Sequence, residues 1–167
     1  MQSPGGHSAS IERHVTRLLR SFRHWTGRDL LSDGDAPRSL AERLFRAPFV
    51  VISHGMEDDP ILNYANRAGL ELWEMSWDEF TRTPSRRTAE QGDQRARAAL
   101  LAHVAAEGFI DNYRGVRVSK TGRRFLIERA IVWNVLDERN NYCGQAATFD
   151  SWTLLGQPRL TLRSDFS

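Results

Sequence analysis

The chain has little of several features that would point to a specialised class of protein. It contains one cysteine, Cys143, and one lysine, Lys120, so almost all of its 23 basic residues are arginine. A single cysteine excludes an internal disulfide and a cluster of metal-bound thiolates. No apolar run approaches the roughly 18 to 20 residues that span a bilayer, and the first residues lack the apolar core of a signal peptide. These absences predict a protein of the cytoplasm that has no membrane partner.

The composition that is present is that of an ordinary globular domain. The 167 residues are 40% hydrophobic and 26% charged, which predicts one domain at about 150 residues per domain. The net charge of +2 is unevenly placed, because residues 1–46 carry +3 and residues 47–167 carry −1. This surplus of positive charge is small and confined to the N-terminal segment, which argues against a nucleic-acid partner. It fits a polar helix face that docks against an acidic surface of the core or against a partner.

The N-terminal segment predicts a disordered terminus followed by a helix. Residues 1–9 are small and polar, which is typical of a disordered end. From Ser10, a suitable N-cap, apolar residues recur at helical spacing to about Gly27. Such a stripe can cover the domain's own surface, form a dimer interface or lie on a membrane surface. Its members are Ile11, Val15, Leu18, Leu19, Phe22 and Trp25.

The remaining sequence alternates helix and strand signals before it changes to strands alone. Ser39 and Glu42 have capping-box spacing, so a short helix should end before Pro48. Strands are expected over 49–52 and 61–65, and helices over 67–74, from 76 and over 94–107. Three longer strands, 110–118, 124–136 and 142–149, are separated by turns and predict an antiparallel meander. The residues after Trp152 predict an extended tail.

This order of elements resembles the PAS fold, in which two strands, short helices and a three-stranded meander form one sheet. Residues 61–66 and 68–72 resemble the second PAS strand and the helix after it, which Asn66 would cap. The resemblance implies an α+β domain with a five-stranded antiparallel sheet and short helices on one face. It divides the chain into a helical cap (10–46), a PAS-like domain (47–152) and a C-terminal tail (153–167).

A closer resemblance is to the MEKHLA domain, a PAS-related family. The family occurs in bacteria as small proteins and in plants at the C-terminus of homeodomain-zipper transcription factors, so a small bacterial protein is implied here. The resemblance brings no assigned biochemical activity with it, and it spans about residues 11–149. It is carried by residues 47–55 (APFVVISHG), 63–68 (NYANRA), 72–75 (LWEM), 77–80 (WDEF), 84–86 (PSR), 108–117 (GFIDNYRGVR), 122–125 (GRRF), 132–134 (VWN) and 144–149 (GQAATF).

The PAS resemblance implies an interior pocket between the sheet and the central helices. Glu128 and Arg129 are neighbours within an apolar strand and should point to opposite faces, so one of them should meet the pocket or a covering helix. Structural roles stay open for the same residues: a salt bridge for that pair, backbone contacts for Asn63, and core packing for the tryptophans. The candidate ligand-binding residues are His54, Asn63, Tyr64, Trp73, Arg86, Tyr113, Arg129, Trp133 and Gln145.

Cofactor chemistry finds little support in the sequence. A flavin-adduct photoreceptor of the LOV type needs its cysteine on a central helix, whereas Cys143 begins the last predicted strand. Haem binding would need a histidine on the central helix, for which His103 is a weak candidate. The acidic residues that follow His54 are too crowded to complete a metal site. The cofactor therefore stays unknown, and no metal is expected.

Catalytic motifs are also missing, since the chain has no nucleophile elbow and no phosphate-cradling glycine loop. The sequence thus favours a non-enzymatic sensory or regulatory domain that binds a small molecule and acts through homodimerisation or a separate partner protein. The alternatives are an interaction module with a filled core and a small enzyme. In the enzyme, Glu128, His54 and Tyr113 would be the acid–base candidates.

Overall fold

The computed structural model describes residues 8–32, 39–89 and 94–156. The predicted disordered terminus and the predicted tail therefore lie mostly outside the described residues. The elements, in chain order, are α1 (Ala9–Thr26), α2 (Leu40–Phe45), β1 (Val50–His54), β2 (Leu62–Ala65), α3 (Arg67–Trp73), α4 (Trp77–Phe80), a 3-10 helix (Ser85–Thr88), α5 (Gln94–Glu107), β3 (Phe109–Val118), β4 (Arg124–Leu136), β5 (Tyr142–Phe149) and β6 (Ser151–Leu154).

Side-chain caps start four of the five α-helices. Ser39, Asn66 and Ser76 each accept a hydrogen bond from a backbone N–H of the first turn, as predicted. The cap predicted for α1 is wrong, because Ser8 and not Ser10 accepts the N–H of Ile11. The earlier start keeps Glu12 in the first turn, where its charge favours the helix dipole.

The strands form one antiparallel sheet in the order β2-β1-β5-β4-β3, with β6 also paired to β4. A sixth strand was not predicted, and residues 151–154 lie in the sheet where the tail was expected to begin. The reason is that β4 is longer than β5, which pairs only with its second half. The first half of β4 would otherwise leave backbone groups without partners along that edge, and β6 supplies them.

Two bulges interrupt the pairing of β3 with β4. The register shifts on both sides of Tyr113, and Asn112 and Arg129 both have left-handed backbone, with φ of 56° and 53°. Ile127 and Ala130 consequently both join the core of the same face. The two residues between them lose the simple alternation that the sequence pattern assumed.

Helices cover both faces of the sheet and create two separate cores. On the inner face, α3 and α4 pack against the strands around Trp73, Phe80 and Phe125. On the outer face, α1 and α2 pack over Tyr64 and Trp133. The chain therefore buries the sheet on both sides, and the cavity described below lies on the inner side.

The apolar stripe of α1 faces the chain's own sheet. Of its three interpretations, the structure thus shows the one in which the stripe covers the domain's own surface. Val15 and Leu18 are 0% exposed and Phe22 is 3% exposed, while the other stripe residues, Ile11, Leu19 and Trp25, pack at the margin of the same core. The stripe is thus not available as a dimer interface or a membrane face while α1 is docked. No helix in the described ranges is long and apolar enough to span a membrane.

Arginines of α1 fix the helix to the turn between β4 and β5. Arg17 donates two hydrogen bonds to the Glu138 carboxylate, at 2.6 and 2.7 Å, and Arg20 donates to the backbone carbonyl of Asp137. The expectation that the basic helix face docks against acidic core surface is confirmed for this pair of elements.

Candidate functional site

A cavity of about 50 Å³ lies between the inner face of the sheet and the central helices. A cavity needs roughly 10 to 15 Å³ to hold one water molecule, so this one has room for a larger occupant. Four of the nine predicted ligand-binding residues line it: His54, Trp73, Tyr113 and Gln145. The strands bring these side chains together because His54 on β1 pairs directly with Gln145 on β5.

Apolar side chains form much of the cavity wall. They come from β1, β4 and α5 and are Ile52, Ile127, Val132, Leu100 and Leu101. On this background each polar group of the lining has few alternatives for a partner. A ligand that fills the cavity would therefore contact both hydrocarbon and a small set of polar atoms, as ligands do in most small-molecule sites.

Two arginines, both 8% exposed, also line the cavity. Arg97 comes from α5 and donates through Nη2 to the Ser85 hydroxyl. Arg117 comes from β3 and donates to the Val116 carbonyl at 2.9 Å and to the Tyr113 hydroxyl at 3.1 Å. Its guanidinium also lies over the Tyr113 ring, 5.6 Å from the centroid.

The electrostatic environment of Arg97 is unfavourable to its charge. Burial, followed by the positive charge of Arg117, lowers the pKa of Arg97 to about 10. Asp59 acts in the opposite direction, but its carboxylate is exposed and accepts a hydrogen bond from Arg86 at 3.1 Å. No aspartate or glutamate belongs to the described lining of the cavity.

Among the described residues, three buried polar atoms of the lining have no hydrogen-bond partner: Nε2 of His54, Oε1 of Gln145 and Nε1 of Trp73. His54 contacts the carbonyl of Gly55 through Nδ1 at 2.8 Å. A carbonyl only accepts, so the proton is on Nδ1 and Nε2 is an acceptor in the neutral ring. Burial lowers the pKa of His54, which favours that neutral form. The unpartnered atoms of His54 and Gln145 are therefore acceptors, whereas the indole N–H of Trp73 is a donor.

Gln145 connects the cavity to α1 on the other side of the sheet. Its Nε2 donates to the carbonyl of Leu101 at 2.8 Å and to Oδ1 of Asn134 at 3.2 Å. The backbone carbonyl of Asn134 accepts a hydrogen bond from Trp25 Nε1 at 2.9 Å. Three residues thus link a cavity-lining amide to the last turn of α1.

A second connection passes through neighbouring residues of β1. His54 lines the cavity, while the hydroxyl of Ser53 donates to Asn63 Oδ1 at 2.5 Å and lies 2.9 Å from His14 Nε2. Because the Ser53 proton goes to Asn63, His14 is the donor in its own contact. Burial, and then the charge of Arg17, lower the pKa of His14 to about 4.

Five predicted ligand-binding residues are not at the cavity. Asn63 is exposed, and Tyr64 and Trp133 belong to the core beneath α1. Arg86 is exposed and bonded to Asp59, while exposed Arg129 donates to the Ser151 hydroxyl at 3.2 Å. The residues were selected by type, whereas the face of the sheet decides which side chains reach the cavity.

The expectation that Glu128 or Arg129 meets the pocket is wrong as well. Neither residue lines the cavity, because the bulge at Arg129 replaces the alternation on which the expectation relied. Glu128 instead lies 3.7 Å from Arg114 on β3. This is a salt bridge between strands, not a contact with a covering helix.

The sequence reasoning missed the two cavity arginines, although one of them could have been found. The apolar residues Leu100, Leu101 and Val104 mark the inward face of α5, and Arg97 precedes Leu100 by three residues. Residues three and seven apart share a helix face, so the same pattern places Arg97 inside. For Arg117, alternation along a bulged strand gives no equally clear signal.

The residues present do not fit a flavin. Pockets for ligands of drug-like size are on the order of 300 to 1,000 Å³, several times the volume of this cavity. Cys143 packs against the core beneath α1, on the opposite face of the sheet. His103 is exposed. Among the residues that the structure describes, no group of three or more His, Cys, Asp or Glu could hold a metal ion.

Solved structures show that the fold is PAS-like. A PAS domain from Colwellia psychrerythraea superposes with a TM-score of 0.58 at 13% identity, covering 69% of this chain and 92% of that chain. The light-state dimer of the fungal blue-light photoreceptor Vivid has a TM-score of 0.54 at 14% identity, covering 89% and 97%. The six-stranded sheet thus extends the five-stranded one that was predicted.

Sequence comparison identifies the family. The homeobox-leucine zipper protein ATHB-15 of Arabidopsis thaliana is 24% identical over 139 residues, or 83% of this chain and 17% of that protein. HOX10 of Oryza sativa subsp. japonica is 26% identical over 150 residues, or 89% and 17%. The chain therefore spans about a sixth of the length of these plant relatives. A model described as the MEKHLA domain matches residues 12–154, and the chain belongs to the MEKHLA domain family.

Proposed function

We propose that the protein is a sensory or regulatory domain that binds a small molecule in the cavity and passes the signal to α1. The observation that carries the proposal is a cavity wall in which buried acceptors on His54 and Gln145 have no partner. Buried polar groups that lack a partner cost free energy, so an occupant that donates to them is stabilised.

The contacts on the far side of the sheet supply a route for the signal. An occupant that bonds Gln145 acts on Asn134, whose carbonyl holds Trp25 of α1. An occupant that bonds His54 acts on the strand whose next residue, Ser53, contacts His14 of α1. The ligand would thus change the population of docked and undocked α1, which is a shift between existing states and not a reaction.

Undocking of α1 would also expose a surface that another protein molecule could bind. The apolar stripe and the outer face of the sheet would become available together, either to a second copy of the chain or to a separate partner. Vivid is described as a dimer in its light state, and the plant relatives are named as homeobox-leucine zipper proteins. We place this domain in the cytoplasm. We assign it no catalytic role, since Glu128 does not line the cavity that His54 and Tyr113 line.

Ligand binding can be tested on the full chain by native mass spectrometry and a thermal-shift screen against a broad metabolite set. Ala147→Leu would fill part of the cavity and should abolish binding, while Ala102→Leu adds the same atoms on the exposed side of α5. No mass increment and no stabilised melting from the whole set would refute a ligand-binding function and leave the interaction module with a filled core.

The route to α1 can be tested by hydrogen exchange of the wild-type chain with and without the ligand so found. Protection of amides in α1 should change on binding, and replacing Trp25 by Phe should reduce that change while leaving ligand affinity within about twofold. Identical exchange of α1 in both states would contradict the proposed output. Light scattering of the two states would show whether a second copy is the partner.

A further inference from the structure

The chemical class of the ligand can be inferred from the charges around the cavity, and this inference rests on the proposed function. Two guanidinium groups reach the same small space from α5 and β3, and both side chains are buried. Buried charges are normally paired, yet the described lining holds no carboxylate. The site thus has an excess of positive charge within an apolar wall.

The hydrogen-bond donors of the two arginines are only partly used. Within the described ranges, Nε and Nη1 of Arg97 have no acceptor, since the bond to Ser85 involves Nη2. Arg117 uses one N–H on each terminal nitrogen, although each of these nitrogens carries two. Donors from opposite walls remain for an acceptor placed between them. Guanidinium forks match the planar, bidentate geometry of a carboxylate.

The rest of the cavity restricts what can be attached to that carboxylate. Its volume of about 50 Å³ is well below the roughly 150 Å³ of an apolar cavity that accepts benzene, so the hydrocarbon part is short. Ile127, Val132 and Leu100 provide apolar contact for it. The acceptors on His54 and Gln145 lack a donor. A hydroxyl group on the same molecule would supply one O–H, which these two paired residues can share.

We propose that the cavity binds a short carboxylate anion held between Arg97 and Arg117, with members that carry a hydroxyl group bound more tightly through Gln145 and His54. Sulfate would satisfy the arginines but would leave the apolar wall and the two acceptors without contacts, and phosphate would leave the apolar wall without contacts. The small organic acid is therefore the favoured occupant, and phosphate and sulfate become comparison arms of the test.

The first experiment uses the wild-type chain and matched probes at constant ionic strength. Lactate, glycolate and propionate should each raise the melting temperature in a concentration-dependent manner, while lactamide and propionamide should not. Lactate should bind at least about fivefold more tightly than propionate by calorimetry. Stabilisation by the amides as strongly as by the acids, or by phosphate and sulfate alone, would overturn the proposal.

The second experiment removes each guanidinium charge. Arg97→Gln and Arg117→Gln should each weaken lactate binding by at least about tenfold, because each removes charge-assisted hydrogen bonds. Arg95→Gln makes the same change on an exposed position of α5 and should leave affinity unchanged. Equal lactate affinity in Arg97→Gln and Arg95→Gln would contradict the proposal without requiring that Arg117→Gln fold.

Failure of this inference and failure of the proposed function give different results. If uncharged metabolites bind, and Ala147→Leu abolishes their binding, the sensory function stands and the carboxylate assignment is wrong. If no metabolite and no acid binds, both are wrong. Binding of lactate that depends on Arg97 but not on Gln145, tested as Gln145→Leu, would overturn the hydroxyl preference alone.

Discussion

At the scale of single residues, the buried side chain of Asn66 joins three elements through four hydrogen bonds. It is 0% exposed, and its Oδ1 accepts from the backbone N–H groups of Val51 at 3.0 Å and Gly69 at 3.2 Å. Its Nδ2 donates to the carbonyls of Leu44 at 3.1 Å and Phe49 at 2.8 Å. The residue is thus more than the helix cap that was predicted, because it also joins α2 and β1 to α3.

Replacing Asn66 by Ala should therefore reduce the free energy of unfolding by about 3 kcal/mol or more. Each buried group left without a partner costs about 1 to 3 kcal/mol, and four backbone groups lose one. Urea unfolding would measure the change, with exposed Asn141→Ala as the matched control. A loss below about 1 kcal/mol would show that water replaces the amide at this position.

At the scale of elements, Gly108 lies where α1, α5 and β4 meet. Its φ is +99°, and an added Cβ would lie 2.4 Å from the Trp25 ring. Its carbonyl accepts from the Asn134 N–H at 2.8 Å, next to the carbonyl that Trp25 bonds. Only glycine permits both the backbone conformation and the close approach of α1 at this point.

Gly108→Ala should consequently destabilise the fold more than an ordinary left-handed glycine substitution. Gly122→Ala is the matched control, since Gly122 has φ +89° and nothing within 4 Å of the added atom. The control should cost about 1 to 2 kcal/mol, and Gly108→Ala should cost at least about 1 kcal/mol more in urea unfolding. Equal losses would mean that Trp25 moves aside freely.

The docking of α1 should also depend on pH through His14. Its pKa of about 4 in the folded state lies below the ordinary value of 6.5, so the unfolded chain takes up the proton first. The contribution of neutral His14 to stability is complete above pH 6.5 and is lost as the pH falls towards 4. The loss amounts to at most about 3 kcal/mol.

Unfolding free energies between pH 7 and 4.5 would test this dependence. The slope of the unfolding free energy against pH should flatten in His14→Gln. It should persist in the control His103→Gln, which changes an exposed histidine. Some slope should remain in His14→Gln, because burial lowers the pKa of His54 as well. Arg17 lowers the pKa of Glu138 to about 2, and that contribution is lost only below about pH 4.5. An unaltered slope in His14→Gln would contradict the assignment.

At the scale of the whole molecule, the sheet separates two cores with different roles. The inner core contains the cavity, and the outer core is completed by α1. The backbone carbonyl of Asn134 and the side chain of Ser53 belong to strands that contact both. A helix that is part of the outer core can therefore respond to an occupant on the inner side without touching it.

This arrangement predicts the outcome of placing a charge in the stripe of α1. Leu18→Asp should destabilise the protein by more than about 4 kcal/mol, since it buries an unpaired carboxylate in a packed core. Circular dichroism should show loss of folded structure, whereas Thr16→Asp, on the exposed side of the same helix, should remain folded. A folded, monomeric Leu18→Asp protein would mean that the stripe is a dimer interface in solution.

The sequence by itself determined the kinds and order of the elements. Capping residues, the glycine after α5 and the change from helical to strand periodicity act over a few residues, so they can be read locally. The family resemblance likewise rested on short segments spread over the chain. Within the candidate site, His54, Trp73, Tyr113 and Gln145 were selected by residue type on elements next to the expected pocket, and the structure places these four at the cavity.

Only the tertiary structure decided which side chains meet. The bulges at Asn112 and Arg129 change the faces that strand residues present, and such bulges depend on how β3 pairs with β4. The docking of α1 against its own sheet similarly depends on Tyr64 and Trp133, which are remote in sequence. Helical spacing places Arg97 on the inward face of α5, but it does not encode that Arg117 of the bulged strand β3 lines the same cavity.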